Sequence, residues 1–163
     1  MRLPEIIGTV GGVGYLRPAS GTWGSLAALP LAALLYLIAG PWAVVVATVA
    51  AFAAGYWATQ QMIGGPEDDP SEVVIDEVVG QWISLLPILF GAAANGVSVF
   101  ALWPGWVAAF VLFRLFDIWK PGPVGWGERR HGALGVMLDD VIAGVLAAVG
   151  VTVLAALWHG VLA

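Results

Sequence analysis

The chain has 163 residues, of which 60% are apolar and only 10% are charged, whereas an ordinary soluble domain carries about 25% charge. A water-soluble fold is disfavoured, and helices in a bilayer are the natural alternative. With no cysteine, disulfide frameworks, thiolate metal sites and cysteine nucleophiles are excluded, and the net charge of −5 is informative by position rather than as a sum.

The start, Met1 to Leu16, has no apolar run leading into a small-residue cleavage site, so it reads as mature protein. The first charged cluster is Arg2, Glu5 and Arg17. The glycine-rich stretch around it matches neither a P-loop nor a dinucleotide fingerprint, and Thr22 and Ser25 precede the first span, where each hydroxyl can cap a helix or contact a phosphate. From Pro18 to Pro66 no residue is charged, which suits two spans of roughly 20 residues each. They are expected near 24–39 and 42–61, with Gly40-Pro41 as the turn.

The second cluster is wholly acidic: Glu67, Asp68, Asp69, Glu72, Asp76 and Glu77. Its first four members lie among Gly64, Gly65, Pro66 and Pro70, the composition of a solvated loop. Asp76 and Glu77 differ, because a helix is expected to begin beside them, where the helix dipole favours negative charge. The uncharged run from Val78 to Phe113, broken at Asn95-Gly96 and Pro104-Gly105, suggests shorter spans near 78–93 and 100–119. Arg114, Asp117 and Lys120 then recur every third residue and share one helix face; ionisable groups inside membrane segments are expensive and commonly mark function. Glu128, Arg129 and Arg130 follow, and an arginine pair there can do no more than set orientation. Asp139 and Asp140 open the last span, 141–163, in which Ala143, Gly144, Ala147 and Ala148 allow close helix packing.

Each long gap read as a pair of spans returns the chain to the same side. All three clusters then share one face, and the basic residues mark it as cytoplasmic. The expected fold is an all-α integral membrane bundle of about five helices forming one domain, 1–163. Two acidic pairs on one side could converge on a hard cation, since oxygen-only ligands select Mg²⁺, Mn²⁺ or Ca²⁺ over zinc. His159 lies toward the other side and His131 reads as a loop residue, so no histidine-rich site is available. Carboxylates beside lysine and arginine at headgroup level suit an anionic lipid phosphate.

Four segments, GYLRPASGTWGSL, IDEVVGQWI, FRLFDIWKPGPV and ERRHGALGVMLDDVIAG, resemble in order and spacing the bacterial phosphatidylglycerophosphatases of the A type. That resemblance implies a Mg²⁺-dependent, multi-pass enzyme of the bacterial inner membrane, removing the terminal phosphate of phosphatidylglycerophosphate at the cytoplasmic face. It departs from the family pattern at Ser20, Glu128 and Ala133. On this reading Asp76, Glu77, Asp139 and Asp140 bind Mg²⁺, and Asp117 completes the catalytic set as base or orienting group. Arg114, Lys120, Arg129, Arg17 and Thr22 are the expected substrate-binding residues, and water is a simpler nucleophile than Asp117 or Thr22. The partners are the anionic phospholipid and the bilayer, with no nucleic acid. The alternatives are a small transporter or channel subunit, which would keep ionisable groups near mid-membrane, and a phosphatase for a different lipid phosphate.

Overall fold

A computed structural model of the chain describes residues 1–65 and 70–161, and at Glu128 and Val161 the backbone alone. The described residues are helical, without strands. The α-helices are α1 (Leu3–Gly8), α2 (Ser20–Met62), α3 (Ile75–Asn95), α4 (Trp103–Trp119), α5 (Pro123–Glu128) and α6 (Ala133–Val161), with 3₁₀ turns at 13–15 and 99–102. Six α-helices therefore replace the expected five or so: α1 and α5 are short additions, and the pair expected at 24–39 and 42–61 lies within one 43-residue element. The solvated loop expected at Glu67, Asp68 and Asp69 falls outside the described residues.

Helix α2 is nevertheless two arms. Ala39 and Gly40 leave helical geometry, Gly40 at φ 73°, a conformation that glycine adopts without a Cβ penalty, and Pro41 then starts the second arm with its φ already suited to a helix. The packing fixes the direction of each arm. Gly24 abuts Val74, Ala28 accepts a 2.8 Å hydrogen bond from Trp82 Nε1, the Trp42 and Phe90 rings meet edge to face at 5.2 Å, and Gly55 abuts Ile75. The chain thus climbs along α3, turns at Gly40 and descends. Helix α3 ends at Gly96 in a left-handed cap, α4 returns so that Gly105 lies on Ile88 and Phe113 reaches Gly80, and α6 climbs again beside α3. Every described charged residue from Arg2 to Asp140 consequently belongs to one end of the bundle, with His159 in the last turn at the other.

Size is distributed against the usual rule for soluble proteins. Ala28, Ala32, Ala58, Ala143 and Ala147 are fully buried, whereas Ile38, Val46, Ile118 and Trp158 are each more than 60% exposed. Apolar burial in water drives large residues inward; in lipid that drive is absent and close approach of backbones through small residues takes its place. Four helices, α2, α3, the segment Val99–Trp119 and α6, are long and apolar enough to cross a membrane. Helix α3 is the exception in burial, packing on α2, α4 and α6 with Val78, Val79, Trp82, Leu85 and Leu89 enclosed.

Several boundaries differ from expectation. The first arm begins at Ser20 behind Ala19, which offers no side-chain cap, so Thr22 and Ser25 lie inside the helix and the Ser25 hydroxyl donates to Gly21 C=O at 2.9 Å. Helix α6 begins at Ala133, because the apolar run 134–138 continues the helix toward its N-terminus. Asp139 and Asp140 therefore sit nearly two turns inside it rather than at its start.

Candidate functional site

The N-terminal segment closes the charged end of the bundle. Val74 N–H donates to Gly8 C=O at 2.8 Å, and Gly14 lies so close to the Glu72 carbonyl that a Cβ has no room. Ser20 Oγ in turn donates to Ser71 C=O at 2.5 Å. These contacts hold the start of α2 against the segment leading into α3.

Behind that seal is a cavity of about 220 Å³ lined by Asp76 and Glu77 from α3, Asp117 and Lys120 from the end of α4, Asp139 and Asp140 from α6, and Ser20, Pro70, Ser71, Val73 and Val136. Its acids are largely withdrawn from solvent: Asp76, Asp139 and Asp140 are 8%, 7% and 3% exposed. A larger groove of about 400 Å³ between α3 and α6, lined by residues such as Ile83, Phe90 and Val149, contains no titratable side chain. Acid–base or ionic chemistry therefore belongs to the smaller cavity.

The helix crossing explains why the acids meet. A Cβ on Gly144 would collide with the Gly80 carbonyl, and one on Gly80 with the Asp140 carbonyl and the Phe113 ring, so α3 and α6 run in the same direction with their backbones in contact. Asp76 and Asp140 each stand four residues, about one turn, before their crossing glycine. Side chains at i and i+4 lie on one face, and the contact presents both acids to the same space. Asp76, Glu77 and Asp140 place one oxygen each within 4.8 Å of one another, as do Asp117, Asp139 and Asp140. Asp140 is common to both triads.

Cationic groups flank the second triad. Lys120, in a left-handed cap conformation after α4, places Nζ 3.0 Å from Asp139 Oδ2, and Arg114 Nη1 lies 2.5 Å from Asp117 Oδ2. The first triad is differently served. Asp76 Oδ1 accepts the Glu77 N–H at 3.1 Å, Glu77 Oε1 faces Gly21, and Glu77 Oε2 is buried with no hydrogen-bond partner among the described residues. A buried carboxylate oxygen left unpartnered is costly, and a bound cation removes that cost. All six acid contributions are oxygen donors, the set preferred by Mg²⁺, Mn²⁺ or Ca²⁺.

Of the residues singled out from the sequence, Asp76, Glu77, Asp117, Lys120, Asp139 and Asp140 line the cavity, with Arg114 against its wall through Asp117. Arg17 stands at the rim, where Nη1 donates to Ser71 Oγ at 3.2 Å. Thr22 and Arg129 are not among the lining residues; Arg129 is exposed at the end of α5, and next to it Arg130 stacks on Trp126 at 4.5 Å. Ser71, Gly21 and Gly80 were missed as site-building residues, whereas Gly144 was expected to allow close helix packing and does so against Gly80. The repeated spacing in DEVVG and DDVIAG, an acid four residues before a glycine, carried the signal for the crossing pair.

Among the described residues, the fold and the site define an all-helical protein with apolar helices long enough to cross a membrane and, at one end, a cavity lined by five carboxylates and a lysine, with an arginine paired to one of those acids. Comparison with known proteins narrows the class. The family model described as phosphatidylglycerophosphatase A matches residues 6–155. Two relatives bear that same name: one from Escherichia coli K12, 36% identical over 84% of this chain and 74% of its own, and one from Haemophilus influenzae Rd, 37% identical over 85% and 80%. A Bacteroides thetaiotaomicron protein with the provisional name phosphatidylinositol-3-phosphatase is 41% identical over 88% of this chain and 87% of its own. No solved structure matches. The chain belongs to the phosphatidylglycerophosphatase A family and is a phosphatase.

Proposed function

We propose that the protein hydrolyses the terminal phosphate monoester of phosphatidylglycerophosphate to give phosphatidylglycerol, with Mg²⁺ as cofactor, at the cytoplasmic face of a bacterial inner membrane. The observation that carries this reading is the meeting of five carboxylates with Lys120 in a single cavity, with Arg114 paired to Asp117 at its wall, together with the family relationship.

Mg²⁺ would be held by Asp76, Glu77 and Asp140, with Asp139 beside them, and would supply neutralisation of phosphoryl charge and activation of water. The chain's own groups do the remainder. Lys120 and Arg114 exchange their carboxylate partners for phosphoryl oxygens, a charge-assisted contact of comparable strength. Asp117, released from Arg114 by that exchange, would accept a proton from the attacking water. Arg17 and Ser71 at the rim contact the glycerol side of the headgroup. The apolar outer faces of α2, α4 and α6 place the acyl chains in lipid, so the phosphate reaches the cavity from the headgroup layer. Confinement of the ionisable groups to one end favours chemistry at an interface over a transport pathway, which would need them near mid-membrane.

Purified protein in detergent is expected to release phosphate from phosphatidylglycerophosphate with Mg²⁺ and to lose that activity in EDTA. No release in Mg²⁺ would remove the proposed substrate. The Bacteroides relative favours a second substrate, phosphatidylinositol 3-phosphate, which belongs in the same assay; a higher kcat/KM on it would transfer the assignment. The orientation has a separate test, made simple by the absence of native cysteine. Glu72→Cys and Glu128→Cys should both be protected from an impermeant thiol reagent in intact cells and both react after lysis, and labelling of one alone in intact cells would break the proposed topology.

A further inference from the structure

The two carboxylate triads differ in how their charge is balanced. In Asp117, Asp139 and Asp140, two of the three acids are already ion-paired, Asp117 with Arg114 at 2.5 Å and Asp139 with Lys120 at 3.0 Å. In Asp76, Glu77 and Asp140 the charges are closely packed, yet Glu77 Oε2 is buried without a partner among the described residues. Five acids thus face two cationic side chains, and both of those ion pairs fall in the second triad, while Arg114 also lies near Glu77, its Nη1 and Glu77 Oε1 both bordering Gly21. A divalent ion placed on the second triad would meet the Lys120 ammonium on the same carboxylate, and like charges at that distance repel strongly where water is scarce.

We propose that the cavity takes up divalent cations in two ordered steps: the Asp76, Glu77 and Asp140 oxygens hold one in the resting protein, and the Asp117, Asp139 and Asp140 oxygens accept a second only after a phosphate group has drawn Lys120 and Arg114 away. Phosphate is both the competitor that frees Asp139 and Asp117 and an additional negative charge that the second cation offsets. Lys120 then acts as a gate on the second subsite as well as a substrate contact, and Asp140 belongs to both subsites. Ordered uptake would keep the second cation out of the cavity until there is a phosphate to act on. The inference rests on the metal-dependent reading of the site given above.

The test is Mn²⁺ binding to the full-length protein in detergent, followed by electron paramagnetic resonance titration with and without saturating inorganic phosphate. The wild type should bind one Mn²⁺ per chain without phosphate and two with it, the second showing spin coupling to the first because the subsites share Asp140. Lys120→Met and Lys120→Gln, each combined with Arg114→Gln so that both competing cations are removed, should bind two without phosphate. Asp139→Asn should stay at one with phosphate present. One Mn²⁺ per chain in every condition, or two in the wild type without phosphate, would overturn the ordered scheme while leaving the metal-dependent phosphatase reading standing. No Mn²⁺ in any condition would remove that reading, and this inference with it.

Discussion

Asp140→Asn is expected to lower kcat/KM by at least about 100-fold, beyond the roughly 10- to 100-fold that loss of a supporting partner around a metal ligand costs, while the bundle stays folded. The amide preserves the shape of a side chain that is only 3% exposed, so packing is retained. What disappears is the negative charge common to both triads. Because Asp140 is crowded by like charges, neutralising it relieves repulsion, and the thermal unfolding midpoint in detergent without metal should be unchanged or raised. Activity falling with an intact or higher midpoint separates a chemical role from a structural one. Near-normal phosphate release by the variant would show that Asp140 is dispensable and would dismantle the proposed site.

The second large effect concerns a residue without a side chain. Gly144→Ala should depress activity at least tenfold and destabilise the fold by about 1–3 kcal/mol, the usual cost of overpacking, because the new Cβ falls on the Gly80 carbonyl. Backbone meets the methyl there, and no rotamer change relieves it. Helices α3 and α6 must move apart, and with them Asp76 and Asp140; a displacement of about 1 Å at a reacting centre can cost 100-fold. Gly91→Ala is the matched control, since nothing beyond the backbone of its own helix turn and its chain neighbours lies within 4 Å of its Cβ position and alanine is the better helix former by up to about 1 kcal/mol. Its unfolding midpoint should not fall, and its kcat should match the wild type. Equal behaviour of the two alanine variants, measured by phosphate release and thermal unfolding, would mean that the crossing does not set the geometry of the acids.

Much of the site was legible before folding because charge is so scarce. With only seventeen Asp, Glu, Lys and Arg residues in the chain, each one in or beside a span stood out as a cost requiring a reason, and Asp76, Glu77, Asp117, Lys120, Asp139 and Asp140 all line the cavity. Thr22 and Arg129 matched motifs but not the cavity. A residue's neighbourhood along the chain says little about which of several helix faces will turn inward. Thr22 shows this: it looked like a cap because the helix was expected to start after it, and the helix instead begins at Ser20.

The sequence by itself determined the helical class, the apolar runs long enough to cross a bilayer, the turns at Gly40-Pro41 and Asn95-Gly96, and the confinement of acids and bases to a few segments. Those are properties of hydropathy and of single-residue backbone preference, both local. Only the tertiary structure decided that α3 and α6 touch at Gly80 and Gly144, that Asp140 serves two triads, that Lys120 pairs with Asp139 and that Glu77 keeps an oxygen without a partner among the described residues. Each depends on the distance between groups 19 to more than 60 positions apart in the chain. Such distances are fixed by how closely two backbones approach and how each helix is rotated, quantities set by packing against all neighbours at once.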